Sequence, residues 1–163
     1  MIFIHRLSDW VYSIEKVFSI VLSSLMLISL FAGVVFRYVF NSPLIWSDET
    51  AIFSLIWLTF IGGSMGIKRQ ESAAVSLFMD KLKGKVKTIL MAVSLLAVIL
   101  FVSLILYLSI KWLSAPTILI QQSNSMKMPM IIAYLSVPVS FVFILIHSLN
   151  LFILNFRSSE SEV

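Results

Sequence analysis

Long apolar runs dominate the chain, and four of them are long enough to cross a membrane as helices. The hydrocarbon core of a bilayer is about 30 Å thick, which takes roughly 20 helical residues to cross. The four runs cover approximately residues 17–36, 50–67, 88–110 and 130–154. None of them contains Asp, Glu, Lys or Arg. We therefore predict an all-α integral membrane protein with four transmembrane helices, formed as one domain over residues 1–157 and followed by a disordered tail over residues 158–163.

The positions of the basic residues predict how the helices are oriented. Loops on the cytoplasmic side of a membrane carry an excess of Lys and Arg. Nine of the twelve Lys and Arg residues lie in the N-terminal segment, between the second and third runs, or in the tail. Both termini are therefore predicted to be cytoplasmic.

Two amphipathic segments are predicted to lie as helices in the cytoplasmic interface of the membrane. Residues 7–14 and 75–82 each carry an apolar stripe at helical spacing. A stripe of this kind beside lysines suits anionic lipid headgroups, and it is equally suited to covering other helices of the same protein or of a partner. The candidate headgroup ligands are Lys81, Lys83, Lys85 and Lys87.

The composition narrows the class of protein and its chemistry. The chain has 163 residues, of which 60% are hydrophobic and 12% charged, whereas soluble domains contain about 25% charged residues. A water-soluble domain of this size has too much surface to hide so many apolar side chains. The absence of cysteine excludes disulfide scaffolds, thiol nucleophiles and Cys-ligated zinc. The net charge of +4 is explained by the lysine-rich loop, so we predict no nucleic-acid partner.

The remaining polar residues predict neither a catalytic centre nor a metal site. The two histidines, His5 and His147, lie at opposite ends of the chain, an arrangement that does not suit paired haem ligands. His147 lies near Asn150 and is interpreted as a hydrogen-bonding residue between helices, with a proton relay as the alternative. No nucleophile is grouped with a base, so we predict no catalytic residue, metal or cofactor.

Two features favour a role in packing or docking. Gly62, Gly63 and Gly66 form a small-residue face on which another helix can approach the second run closely. Arg37 ends the first run, and Asp48 with Glu49 opens the second run at the same level of the membrane. Acids at a helix N-terminus interact favourably with its dipole, and Ser47 is placed to cap that helix. Pairing between Arg37 and the acids predicts either a clamp between the two helices or, together with Trp46, a docking surface for a partner.

The same segment resembles a known family. Residues 35–42 read V-F-R-Y-V-F-N-S and residues 46–49 read W-S-D-E. This pattern resembles the small membrane subunit of tripartite ATP-independent periplasmic (TRAP) transporters, in which an Arg-Tyr-x-Phe-Asn stretch precedes a Trp-Ser-x-Glu motif. The resemblance covers roughly residues 17–150. The sequence departs from the family by having no His in residues 71–75, by Asp48 where Glu is common, and by Lys127 in a usually apolar stretch.

The resemblance implies a multi-pass scaffold subunit in a bacterial inner membrane. Its implied partners are a large permease subunit in a heterodimer, a periplasmic substrate-binding protein and membrane lipids. The large subunit would carry the substrate and Na⁺ sites, and the imported solute would be an organic acid such as a C4-dicarboxylate or a sialic acid. Two alternatives stay open at this point. One is a small membrane enzyme using His147 and Asn150, and the other is a free-standing lipid-interacting protein.

Overall fold

A computed structural model of the chain describes residues 2–69 and 85–160. Four long helices account for most of them: α1 (Ile2–Tyr38), α2 (Ser47–Arg69), α3 (Lys85–Leu113) and α6 (Ser136–Glu160). Two short helices, α4 (Pro116–Leu119) and α5 (Ile131–Tyr134), lie between α3 and α6. Each long helix is long and apolar enough to cross a membrane, which confirms the prediction of four transmembrane helices. No strand occurs among the described residues, apart from an isolated bridge between Gln122 and Pro129.

Helix α6 lies at the centre of the packing because it contacts α1, α2 and α3, while α1 also pairs with α2. The buried face of α1 recurs every seven residues, which is the spacing that keeps one helix face turned toward a neighbour. Two of its four members are serines, whose short side chains let the helices approach closely. The buried positions with this spacing are Ser8, Glu15, Leu22 and Ser29.

Helix α1 is longer than the predicted first span. Its 37 residues correspond to about 55 Å, well beyond the thickness of the hydrocarbon core. Residues 7–14 therefore continue the first transmembrane helix instead of forming a separate interfacial helix. Similarly, α6 runs to Glu160, past the predicted start of the disordered tail.

The second predicted interfacial segment falls largely outside the described residues. Residues 75–82 lie there, as do Lys81 and Lys83, while Lys85 and Lys87 lie in the first turn of α3 without described side chains. Their role at lipid headgroups and the cytoplasmic location of the termini remain predictions.

The bundle has two ends, which we name by the segments found there. The loop end contains residues 37–50 and 112–135, where α1 and α3 finish and α2 and α6 begin. The terminal end contains the start of α1, the last turn of α2 and the C-terminal half of α6.

Candidate functional site

At the loop end, an ion pair joins the end of α1 to the start of α2. Arg37 Nη2 lies 3.4 Å from Asp48 Oδ2, and the two side chains are 53% and 63% exposed. The backbone between the two helices turns at Asn41, which adopts a left-handed conformation (φ 50°) that Asn tolerates better than most residues. Because exposed ion pairs contribute little to stability, this contact links the helix ends without fixing them strongly.

Glu49 binds the backbone of a distant loop instead of Arg37. Its Oε1 accepts a hydrogen bond from the N–H of Ser125 at 2.7 Å, and its Oε2 accepts one from the N–H of Met126 at 2.8 Å. Hydrogen bonds to a carboxylate are shorter and stronger than those between neutral groups. Glu49 therefore attaches the loop of residues 120–130 to the first turn of α2. The sequence predicts that both acids lie opposite Arg37, and only Asp48 does.

The loop attached by Glu49 has a defined internal structure. Gln122 and Pro129 pair in antiparallel fashion, and the N–H of Ser123 donates to the carbonyl of Met128 at 2.8 Å. Lys127 adopts a left-handed conformation (φ 54°) between these strand-like arms, which is how the unusual lysine is accommodated in the turn. The loop thus presents a folded hairpin next to α2.

Apolar side chains surround these polar contacts at the loop end. Trp46 is 42% exposed on the segment leading into α2. A cleft of about 190 Å³ lies beside Glu49, between α2 and the hairpin. We call the set of Arg37, Trp46, Asp48, Glu49 and the hairpin 120–130 the loop-end surface. Ile120 of the hairpin is exposed, and so are neighbouring apolar residues in the adjoining segments: Tyr38, Val39, Phe40, Ile45 and Leu119.

Ser47, considered above as the cap of α2, has a different role. Its hydroxyl donates to the carbonyl of Leu44 at 3.0 Å, and the residue is fully buried. It lies against Gly33 of α1, where an added Cβ would stand 2.6 Å from Ser47 Oγ. The close contact between α1 and α2 is therefore made at Gly33, which the sequence analysis missed.

The glycines predicted to form a packing face lie elsewhere. A Cβ added at Gly62, Gly63 or Gly66 would meet no atom of the described chain within 4 Å. These three residues consequently make no close helix contact among the described helices. Their proposed role in packing against another helix stays a prediction.

A second group of polar residues is buried at the terminal end. His147 and Glu15 are fully buried, with His147 Nε2 3.0 Å from Glu15 Oε2. On the other side of the imidazole, Nδ1 lies 2.8 Å from the hydroxyl of buried Ser8. His147 thus hydrogen-bonds between helices as interpreted, but its partners lie on α1 and Asn150 is not one of the contacts shown. The seven-residue spacing of Ser8, Glu15 and Leu22 was the available signal for Glu15.

Lys68 of α2 connects this buried group to the surface. Its ammonium donates to Ser8 Oγ at 2.7 Å and to Asp9 Oδ1 at 2.8 Å. Asp9 in turn lies 2.7 Å from His5 Nδ1, and both of these side chains are about half exposed. Within residues 2–69 and 85–160, no cluster of three or more His, Asp and Glu side chains is arranged to hold a metal ion.

Comparison with known families decides what this membrane bundle is. The family model of the DctQ component of tripartite ATP-independent periplasmic transporters matches residues 26–158, which is most of the chain. The chain belongs to the DctQ family. This confirms the resemblance noted in the sequence and places the chain among multi-pass proteins of the bacterial inner membrane.

Three individual relatives of this DctQ-family chain have low sequence identity to it, between 26% and 27%. It is 26% identical over 101 residues to the C4-dicarboxylate TRAP transporter small permease protein of Vibrio cholerae, covering 62% of this chain and 44% of that protein. It is 27% identical over 96 residues to the sialic acid small permease of the same organism, covering 59% and 56%. It is 26% identical over 97 residues to the isethionate TRAP transporter permease protein DctMQ of Oleidesulfovibrio alaskensis, covering 60% and 15%. The aligned parts thus span about half or less of each of these relatives.

The region matched by the DctQ family model includes the polar residues of the loop end but only part of the buried polar group at the terminal end. The loop-end surface and His147 lie within residues 26–158, whereas Ser8 and Glu15 precede the matched region. The histidine thus lies within the matched region, and its partners come from the part of α1 that precedes it.

Proposed function

We propose that this chain is a non-catalytic scaffold subunit of a TRAP-type solute:sodium symporter. It pairs with a large permease subunit, and the complex imports an organic acid such as a C4-dicarboxylate or a sialic acid together with Na⁺. The loop-end surface receives a periplasmic substrate-binding protein. The relatives named as C4-dicarboxylate and sialic acid small permeases support the substrate class.

The observation that carries the docking proposal is the attachment of the hairpin by Glu49. Two short hydrogen bonds hold Ser125 and Met126 against α2, so the surface is formed before a partner arrives. A preformed surface loses less conformational entropy on binding than a mobile one. The predicted orientation puts this end on the periplasmic side, where a soluble binding protein has access to it.

Uptake measurements test the proposal directly. Cells making the large subunit and the binding protein should accumulate labelled C4-dicarboxylate or sialic acid only when this chain is also made, and only with Na⁺ in the medium. Replacing Na⁺ by K⁺ is the matched control for ionic strength. Equal uptake with and without this chain would refute the scaffold role, and equal uptake in K⁺ would refute sodium coupling.

Two further measurements separate the scaffold from the alternatives. The substitution His147→Ala should lower the amount of assembled complex while leaving uptake per complex unchanged, whereas an enzyme using His147 would lose turnover in every molecule. Purification in mild detergent should recover a second, larger chain. A stable, monodisperse preparation of this chain alone would favour a free-standing lipid-interacting protein.

A further inference from the structure

Glu15 and His147 form a buried pair of ionisable side chains, whose net charge depends on how many protons the pair holds. Both side chains are completely shielded from solvent, and they lie between α1 and α6. A charge buried without a partner is strongly destabilising. Glu15 Oε1 makes no hydrogen bond to any described residue, so the carboxyl group depends on His147 at its other oxygen. The protonation of the imidazole therefore decides whether a carboxylate here is neutralised.

The geometry constrains the hydrogen atoms around His147. The ammonium of Lys68 can only donate, so Ser8 Oγ accepts from it. One proton lies in the 3.0 Å contact between His147 Nε2 and Glu15 Oε2: an ionised Glu15 accepts it from Nε2, and a neutral Glu15 donates it to Nε2. The Ser8 hydroxyl is free to rotate, and it can donate to a bare Nδ1 or accept from a protonated one. The site thus holds His147 with or without a second proton, using the same heavy-atom positions.

We propose that the Ser8–His147–Glu15 group is a proton-binding site that locks α1 against α6. When the proton is bound at Nδ1, imidazolium and carboxylate form a buried pair with no net charge. When it leaves, the carboxylate keeps only a neutral hydrogen-bond donor, and the contact between α1 and α6 weakens. This role goes beyond that of a passive scaffold, because it makes the rigidity of the frame depend on pH.

Charged side chains around the buried group connect it by hydrogen bonds to the surface. Lys68 of α2 is the charged group nearest the Ser8 side, and Asp9 and His5 of α1 continue the hydrogen-bonded path to exposed positions. Helix α3, on another side of α6, has no charged residue between Thr88 and Ile110. Exposed groups on α1 and α2 are thus hydrogen-bonded to the site, and the charge of a proton bound at Nδ1 is balanced by Glu15.

Thermal unfolding of the full chain in detergent at two pH values tests this site without requiring a partner subunit. Measurements at about pH 6 and about pH 8.5 bracket the range in which histidines ordinarily titrate. The substitutions are His147→Gln and Glu15→Gln, and the matched control is Asp48→Asn, which removes an exposed carboxylate at the opposite end of the bundle. We expect the wild type to unfold about 5 °C or more above both buried-site variants at the lower pH. This margin should shrink at the higher pH, while Asp48→Asn follows the wild type.

Several outcomes would overturn the proposal. One is a margin that is equal at both pH values, since this would show that the group contributes only fixed hydrogen bonds. Another is a Glu15→Gln variant with the full pH dependence of the wild type; this variant keeps the shape of the side chain and decides the matter if His147→Gln does not fold. If neither variant folds, hydrogen–deuterium exchange of the wild type replaces them. Equal protection of the α1 amides at both pH values, after correction for intrinsic exchange rates, would then refute the lock.

Discussion

The substitution Gly33→Ala tests the close contact between α1 and α2. The added methyl carbon would lie 2.6 Å from Ser47 Oγ and 3.1 Å from Ser47 Cβ. Ser47 cannot move away freely, because it is fully buried and its hydroxyl is bonded to the carbonyl of Leu44. The methyl group must therefore separate the helices or displace the hydroxyl from its hydrogen bond.

Three free-energy terms decide the sign. Overpacking costs about 1–3 kcal/mol, and loss of the Ser47 hydrogen bond costs about 1 kcal/mol. Against these, replacing Gly by Ala inside a helix stabilises it by about 1 kcal/mol. The net destabilisation is therefore about 1–3 kcal/mol. For a chain of this size, that lowers the midpoint of thermal unfolding by roughly 2–12 °C.

The chain supplies its own controls for this experiment. Gly62→Ala and Gly63→Ala make the same change in α2 at positions where the methyl group meets no described atom. Both should unfold at or slightly above the wild-type temperature in the isolated chain. In a Ser47→Gly background, Gly33→Ala should also lose its destabilising effect, since the contact is gone. If Gly33→Ala behaved like Gly62→Ala in the wild-type background, the close approach of the two helices would be refuted.

Three other predictions follow from single contacts. Glu49→Gln should reduce uptake and complex yield more than Asp48→Asn, because Glu49 holds two loop amides whereas Asp48 makes one long ion pair; equal effects in a transport assay would contradict this. A cysteine replacing Lys85 should resist a membrane-impermeant thiol reagent added to spheroplasts and react once the membrane is opened, and labelling before opening would reverse the predicted topology. Trp57→Phe removes the hydrogen bond from the indole N–H to the carbonyl of Ile132, and should lower stability by about 1 kcal/mol in a thermal unfolding assay.

The four spans could be predicted from the sequence because the membrane imposes their length and apolar character on each helix separately. The link between Arg37 and Asp48 could also be predicted, since the two residues are close in sequence and the topology returns the chain to the same level. Both predictions use only the residue pattern within each segment and the short loop that joins the first two helices. The packing between the spans is not encoded in this local way.

The missed contacts share a physical cause. Glu15 meets a histidine 132 positions away, and Glu49 meets amides 76 and 77 positions away. An isolated helix pattern assigns a carboxylate near the membrane boundary to the water-exposed side, because burying it alone is costly. Glu15 can be buried only because His147 of α6 lies next to it and forms a hydrogen bond with it. Gly33 was missed for a related reason, since a glycine acquires a packing role only through the residue opposite it.

The two ends of the bundle differ in how their polar contacts can respond to a partner. At the loop end, the Arg37–Asp48 pair is more than half exposed, so it can open with water replacing the lost contact. At the terminal end, separating Glu15 from His147 would break a hydrogen bond between two fully buried side chains and leave buried polar atoms without a partner. The docking proposed for the loop-end surface would therefore rearrange side chains without loosening the helices, because α1 is held against α6 at the opposite end. We accordingly expect changes at Asp48 to alter partner binding at constant unfolding temperature, and changes at Glu15 to lower the unfolding temperature before any partner is added.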